Sequence, residues 1–443
     1  MHEPAPIATE SRTIAGAALA VLAFLYWWIT LTPFQDLGAP LSPLSEAQGS
    51  NLVNQIVAVS IFGTMLAVAF VTGRSRLLYG FRGLLLLIFL WLAIASVLGG
   101  ADAASLRRLL TAFVLCVCAN VFLLLPSSER QFAGVLAVGG LAVMALCYFG
   151  VAFMPMRAIH QASDFSEPLL AGDWRGIFDH KNAAAAAMVI LVCAGLYIAS
   201  TRSRLLGFLL AALAAIFLVQ TGGKTSLGML PFTLIVAWLI ERSGPLLRWI
   251  VVLTITAGYS LVTLGTVIFP QLGKLLEAAG IDDTFTGRTD IWTMALEGIR
   301  QRLLTGHGFE NFWGGESLVY GFREVQNWAV VAPTAHNSYL DITLTGGLIG
   351  LALVLLWLVV LPMRNIAAAL GNGNRSPLTR LFIRAWVFGL VLGHMESVFF
   401  AAEGGAWFFI IVAVIGLDLQ ARVESRQLAG PRLAPAAAVP LPA

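Results

Sequence analysis

Three short polar segments could carry chemistry: Gly176-Ile-Phe-Asp-His-Lys-Asn182, Thr286-Gly-Arg-Thr-Asp-Ile-Trp292 and Ala332-Pro-Thr-Ala-His-Asn-Ser-Tyr339. In the first, Asn182 suits a helix N-cap. That leaves Asp179, His180 and Lys181 too polar for a generic helix entry. In the second, Ile291, Ala295, Ile299 and Leu303 recur at helical spacing, so an amphipathic helix is expected to begin beside Arg288. Thr286 or Thr289 would cap it, Asp290 suits its first turn, and Thr305-Gly-His-Gly308 would stop it. A guanidinium next to free helix N–H groups can hold a phosphate, which makes Arg288 a candidate anion-binding residue. In the third segment, His336 would stand at a helix N-terminus capped by Asn337. The dipole there disfavours imidazolium, so the ring would stay neutral and able to take a proton. The plainer alternatives are a helix lying flat on a bilayer for the second segment and a structural histidine for the third.

The elements that must position these residues follow from composition. Of 443 residues, 58% are apolar and 12% charged, with a mean hydropathy of +0.83. Soluble domains carry about 25% charged residues. Disorder, a disulfide scaffold and a fibrous repeat are excluded by this balance, and an all-α polytopic membrane protein remains. Apolar runs near the length needed to cross a bilayer occur at 14–32, 52–72, 79–98, 106–125, 131–153, 182–200, 204–220, 225–241, 247–269, 337–361, 379–400 and 404–419, about twelve spans. Polar residues 1–13 lead into the first span without a clear cleavage site, which reads as a signal anchor. The organisation expected is a helical region 1–269 with a shorter external loop at 154–181, and a large external loop at 270–336 containing the amphipathic helix. Further spans at 337–420 and a disordered tail at 421–443 complete it.

Sidedness follows from the cations. With twelve spans, fourteen arginines, from Arg12 to Arg432, fall on the side of the termini. Six cations lie in the short loops opposite: Arg107, Arg108, Arg157, Arg175, Lys181 and Lys224. The bias puts the termini in the cytoplasm and both long loops outside. With Arg288, the six external cations could line a basic pocket suited to a diphosphate, or could individually snorkel to lipid phosphates. Cys116, Cys118, Cys147 and Cys193 all fall within spans and read as small buried residues. The net charge of +3 gives no reason to expect nucleic acid as a partner. Gly223-Lys224-Thr225 mimics a Walker A ending, but Leu218 stands where glycine is required and no strand precedes it. His394-Met-Glu396 mimics a deaminase triplet without its cysteine pair. The histidines lack zinc-ligand spacing and Asp282-Asp283 is not an Asp-x-Asp motif, so no metal site and no cofactor are expected.

Phe178-Asp-His-Lys-Asn182, Gly287-Arg-Thr-Asp-Ile-Trp292, Gly306-His-Gly308 and Ala335-His-Asn-Ser-Tyr-Leu340 occur in that order, around a large late loop that leads into a Gly-rich span. In this the chain resembles the O-antigen ligase and Wzy-type polymerase superfamily of bacterial membrane glycosyltransferases. The His-Lys-Asn form and the Gly-Lys-Thr-Ser near Lys224 are most similar to the exopolysaccharide-polymerase (ExoQ-like) branch. Much of the wider family has Ser-Arg where this chain has Gly223-Lys224. Lysine keeps the charge but loses the bidentate fork.

The resemblance implies a GT-C-like fold in a bacterial inner membrane and an inverting, metal-independent glycosyl transfer on the periplasmic face. The donor would be a glycan on undecaprenyl diphosphate, the acceptor a second glycan. By position, Arg288 matches the arginine that binds the diphosphate and His336 the histidine that activates the acceptor hydroxyl. Lys181, Lys224, Arg157 and Arg175 would add phosphate contacts, and His180 and Asn337 complete the candidate substrate-binding set. A flippase and a chain-length regulator would be the accompanying proteins. Two other readings compete. One is a ligase that passes the glycan to a lipid A-core or protein acceptor. The other is a transporter, suggested by Arg82, Arg384, His394 and Glu396 inside expected spans. A scaffolding subunit would leave His336 and Arg288 dispensable.

Overall fold

A computed structural model describes residues 6–29, 33–38, 52–71, 83–164, 167–278, 280, 284–285, 287–313, 332–371, 375–401 and 404–428. The chain is 78% helical and without strands among them. Helices α1 (Pro6–Trp28), α2 (Leu52–Val71), α3 (Gly83–Leu98), α4 (Ala103–Leu124) and α5 (Glu129–Phe153) come first, and a one-turn α6 (Pro155–Ala158) opens the shorter loop. Then follow α7 (Lys181–Thr201), α8 (Arg204–Gln220), α9 (Lys224–Arg242) and α10 (Pro245–Ile268). The large loop holds α11 (Pro270–Ala278) and α12 (Arg288–Gln301). A rod of α13 (Ser338–Leu355) and α14 (Leu361–Gly371), joined by a π turn at Leu356–Val360, precedes α15 (Pro377–Leu392) and α16 (Gly405–Leu428).

Among the described residues, seven helical segments are long and apolar enough to cross a membrane: α4, α5, α7, α9, α10, the α13–α14 rod and α16. Shorter apolar stretches occur in α1, α2, α3 and α8. The fold is therefore all-α and polytopic. Its ends are set by local chemistry. Asp102, Ser128, Ser203 and Ser376 each cap a helix by accepting from a backbone N–H, and Pro245 and Pro377 occupy first turns where no amide donor is needed. Between lipid-facing helices, close packing replaces the hydrophobic effect. At the α7–α8 contact, a Cβ on Gly207 would lie 2.2 Å from the Ala199 nitrogen, so the two backbones touch there.

Three expectations change. The span expected at 379–400 ends at Leu392. The run Val398-Phe399-Phe400 that extended it folds back instead, with Phe399 8% and Phe400 1% exposed and Phe400 in the left-handed region at φ 59°. The rod beginning at Ser338 reaches Gly371 rather than 361. Helix α16 runs on to Leu428, eight residues into the stretch expected to be a disordered tail. The rest of that tail, Thr286, Asp282-Asp283, Arg82 and residues 314–331 of the large loop lie outside the described residues.

The rod is broken near its start. Gly347 has φ 64° and ψ −167°, far from helical values. Where the ladder is interrupted, three consecutive carbonyls find other donors. Leu344 accepts from the His307 amide at 2.7 Å, Thr345 from the Gly308 amide at 3.0 Å, and Gly346 from Trp91 Nε1 on α3 at 2.7 Å. In return the Leu348 amide donates to the Leu303 carbonyl at 2.9 Å. Irregular backbone at membrane depth persists only when its polar groups are satisfied like this. The Gly306-His-Gly308 and Gly346-Gly347 pairs are thus two halves of one contact, which docks the large loop onto the rod.

Candidate functional site

Helix α12 starts at Arg288, as its apolar spacing predicts, but Thr289 does not cap it. The cap position is Gly287 at φ 82°, without a side-chain cap bond. Its buried face (Ile291, Trp292, Ala295, Ile299) packs with Phe312, Ala335, Leu340 and Leu344 into a second hydrophobic cluster. It is therefore fixed to the rod. Leu303 lies beyond the helix end and is 47% exposed, so it is not part of that face. Trp292 Nε1 donates to the Ala335 carbonyl at 2.9 Å, tying Arg288's helix to the residue before His336.

The N-terminus of α13 is stitched to residues 390–399. Asn337 caps it as expected, accepting from the Tyr339 and Leu340 amides, and its amide group donates to the His394 carbonyl at 3.2 Å. The Ser338 hydroxyl donates to the Glu396 carbonyl at 2.7 Å and accepts from the Val398 and Phe399 amides. Asp341 accepts from the Ala335 amide at 3.0 Å, Trp313 Nε1 at 2.9 Å and the Ser397 hydroxyl. These bonds leave one side chain, Glu396, at the meeting point.

Glu396 is the hub of the site. Arg288 Nη2 donates to Oε1 at 2.9 Å, and Asn182 Nδ2 donates to the same oxygen at 3.0 Å. His336 Nδ1 lies 3.3 Å from Oε2. Arg288 Nη1 also donates to the Met395 carbonyl. A carboxylate can only accept, so His336 donates from Nδ1, and in the neutral ring this leaves the Nε2 lone pair available. The side chains of Arg288 and Glu396 are 12% and 14% exposed, while that of His336 is 31% exposed. His336 also holds φ 47°, a strained value for a residue with a side chain and one that clusters at functional sites. Burial pushes the Glu396 carboxyl up, but the Arg288 and His336 contacts outweigh it, and the group titrates below the ordinary glutamate value of 4.5. Its stabilising contribution is therefore complete above about pH 4.5 and is lost as pH falls through the lowered value.

The shorter loop ends against this hub. His180, not Asn182, caps α7: its Nδ1 accepts from the Asn182 amide at 3.1 Å, and its Nε2 donates to Glu167 at 2.7 Å. That contact holds the Glu167 carboxyl below its usual range. The cap is what frees the Asn182 side chain to reach Glu396. Buried His160 donates from Nδ1 to Asp164 at 2.9 Å and accepts the Lys181 amide at 3.3 Å. Burial holds its ring below the ordinary histidine value.

The other cations read from the sequence do not converge on Glu396. Lys181 pairs with Asp173 at 2.5 Å. Lys224 is exposed at the first residue of α9. Arg157 faces Asp36 at 3.8 Å, and Arg108 pairs with Glu310 at 2.8 Å. Arg175 is 1% exposed and donates to the Phe178 carbonyl at 3.0 Å and to the Gln35 carbonyl. Such a guanidinium anchors the loop, since two carbonyls depend on it. Arg175→Met is expected to lower stability by about 2–4 kcal/mol, read as an earlier thermal unfolding transition in detergent; an unchanged transition would refute the anchoring role.

Sequence reasoning missed Glu396, Asp341, Ser338 and the reach of Asn182. Glu396 had one signal, an ionisable residue inside an apparent span, but there it counted toward a transporter. The structure puts it outside the helix, in contact with both candidate catalytic residues.

Residues 185–355, which include Arg288 and His336, match the family model described as O-Antigen ligase. A stretch of 128 residues is 30% identical to the exopolysaccharide production protein ExoQ of Rhizobium meliloti (strain 1021). That match spans 26% of this chain and 28% of the relative, about a quarter of each. Across the helices that present the site, the chain is therefore similar to the O-antigen ligase family, and over about a quarter of its length to an exopolysaccharide production protein.

Proposed function

We propose that this protein polymerises glycan repeat units carried on undecaprenyl diphosphate, at the periplasmic face of a bacterial inner membrane. The observation that carries this reading is the convergence of Arg288, His336 and Asn182 on Glu396. It joins an anion-binding group to a base, the two functions that transfer from a diphosphate needs. The acceptor hydroxyl attacks the anomeric carbon, the new glycosidic bond forms, and the bond to the diphosphate oxygen breaks with its electron pair. The hydroxyl proton passes to His336 Nε2. Arg288, at the N-terminus of α12, stabilises the charge that grows on the departing diphosphate. The asymmetric Lys/Arg distribution supports the periplasmic orientation.

The name of the relative, an exopolysaccharide production protein, favours polymerisation; the family description favours ligation to a lipid or protein acceptor. Sizing the surface polysaccharide of a strain lacking this protein, complemented with wild type or Arg288→Ala, separates them. A polymerase predicts single lipid-linked units accumulating with the variant, and a ligase predicts long polymer left on its lipid carrier. Normal polysaccharide from Arg288→Ala would refute both.

A further inference from the structure

At the end of the bundle opposite Glu396, α7, α8 and α15 enclose an open cavity of about 490 Å³ lined by Leu196, Ala199, Ser200, Arg204, Phe208 and Arg384. Arg384 lies about two turns into α15 and is partly buried. Arg204 is the first residue of α8 and is exposed. Among the described residues, neither guanidinium has a hydrogen-bond or ion-pair partner. The carboxylate close by, Glu241, is engaged by Arg380 at 3.2 Å and already lies in the field of Arg375, Arg242 and Arg384.

Surface arginines at helix ends follow from the charge bias of the membrane and require nothing more. Arg384 differs, because it lies within the helix, shares a cavity with a second arginine, and has a carboxylate neighbour that is already taken. An ionised group at such a depth is costly unless paired, and two guanidiniums around one cavity repel each other until an anion sits between them. Beside them the lining includes apolar Leu196, Ala199 and Phe208, and Phe208 is 57% exposed. Cations over an apolar, outward-facing wall fit a ligand with a phosphate head and hydrocarbon chains, and basic pockets between membrane helices bind such headgroups. The volume falls within the range of small-ligand sites.

We propose that this cavity binds the phosphate headgroup of an anionic membrane lipid, at a site separate from the glycan-transfer centre. The test measures lipid retention by the purified full chain, with phosphatidylglycerol, phosphatidylcholine and inorganic phosphate as separate probes. Wild type is expected to retain phosphatidylglycerol over phosphatidylcholine, and Arg384→Gln and Arg204→Gln each to lose about fivefold in retention. Equal retention by wild type and both variants would overturn the proposal. Full displacement of the lipid by millimolar inorganic phosphate would assign the cavity to a soluble anion instead. Should Arg384→Gln fail to fold, the exposed Arg204→Gln decides the matter alone.

Discussion

Glu396→Gln is expected to reduce glycan transfer by about 10²- to 10⁴-fold, the range over which a positioned acid or base acts, while the protein still folds. The amide keeps the shape of the side chain and one acceptor oxygen. It cannot at once accept from Arg288, Asn182 and His336, and it removes the charge that fixes the proton on His336 Nδ1. His336→Ala should cost a similar factor. The double variant should lose little more, because residues acting as one unit are non-additive. Glu396→Asp should recover part of the activity, since the charge returns at a shorter reach. The measurement is transfer from a lipid-diphosphate glycan by purified protein, with thermal unfolding as the control for folding. Near-wild-type transfer by Glu396→Gln would refute the hub.

Gly347→Val should abolish the folded protein, seen as lost membrane accumulation and no cooperative unfolding transition. A Cβ at this position would stand 2.1 Å from the Leu304 carbonyl oxygen, and φ 64° is strained for any β-branched residue. Relief would require the large loop to leave the rod, breaking the His307, Gly308 and Leu348 backbone bonds together. A cost above about 4 kcal/mol exceeds what most domains can spare. Gly228→Ala in α9 is the control: nothing lies within 4 Å of its Cβ, and alanine favours a helix, so accumulation should match wild type. Normal accumulation of Gly347→Val would show that the junction is not essential.

The motifs were readable because each is local. The start of α12 at Arg288, the Asn337 cap and the turn glycines follow from residue type and spacing within one or two turns. Element ends were less secure. Val398-Phe399-Phe400 is apolar enough to prolong α15 on paper, and whether it spans or folds back depends on where Ser338 binds it. Asn182 satisfies every local rule for a cap, yet His180 takes the role because Glu167, thirteen positions earlier, holds its ring.

What the sequence determined by itself was the class: apolar runs that satisfy their own backbone hydrogen bonds cross the membrane as helices. The tertiary structure decided which charged residues meet. Arg288, His336 and Asn182 reach Glu396 from 108, 60 and 214 positions away, and no local periodicity encodes such a contact. A buried carboxylate is tolerable only where opposite charge and hydrogen-bond donors converge on it, and that convergence exists only once the helices are packed.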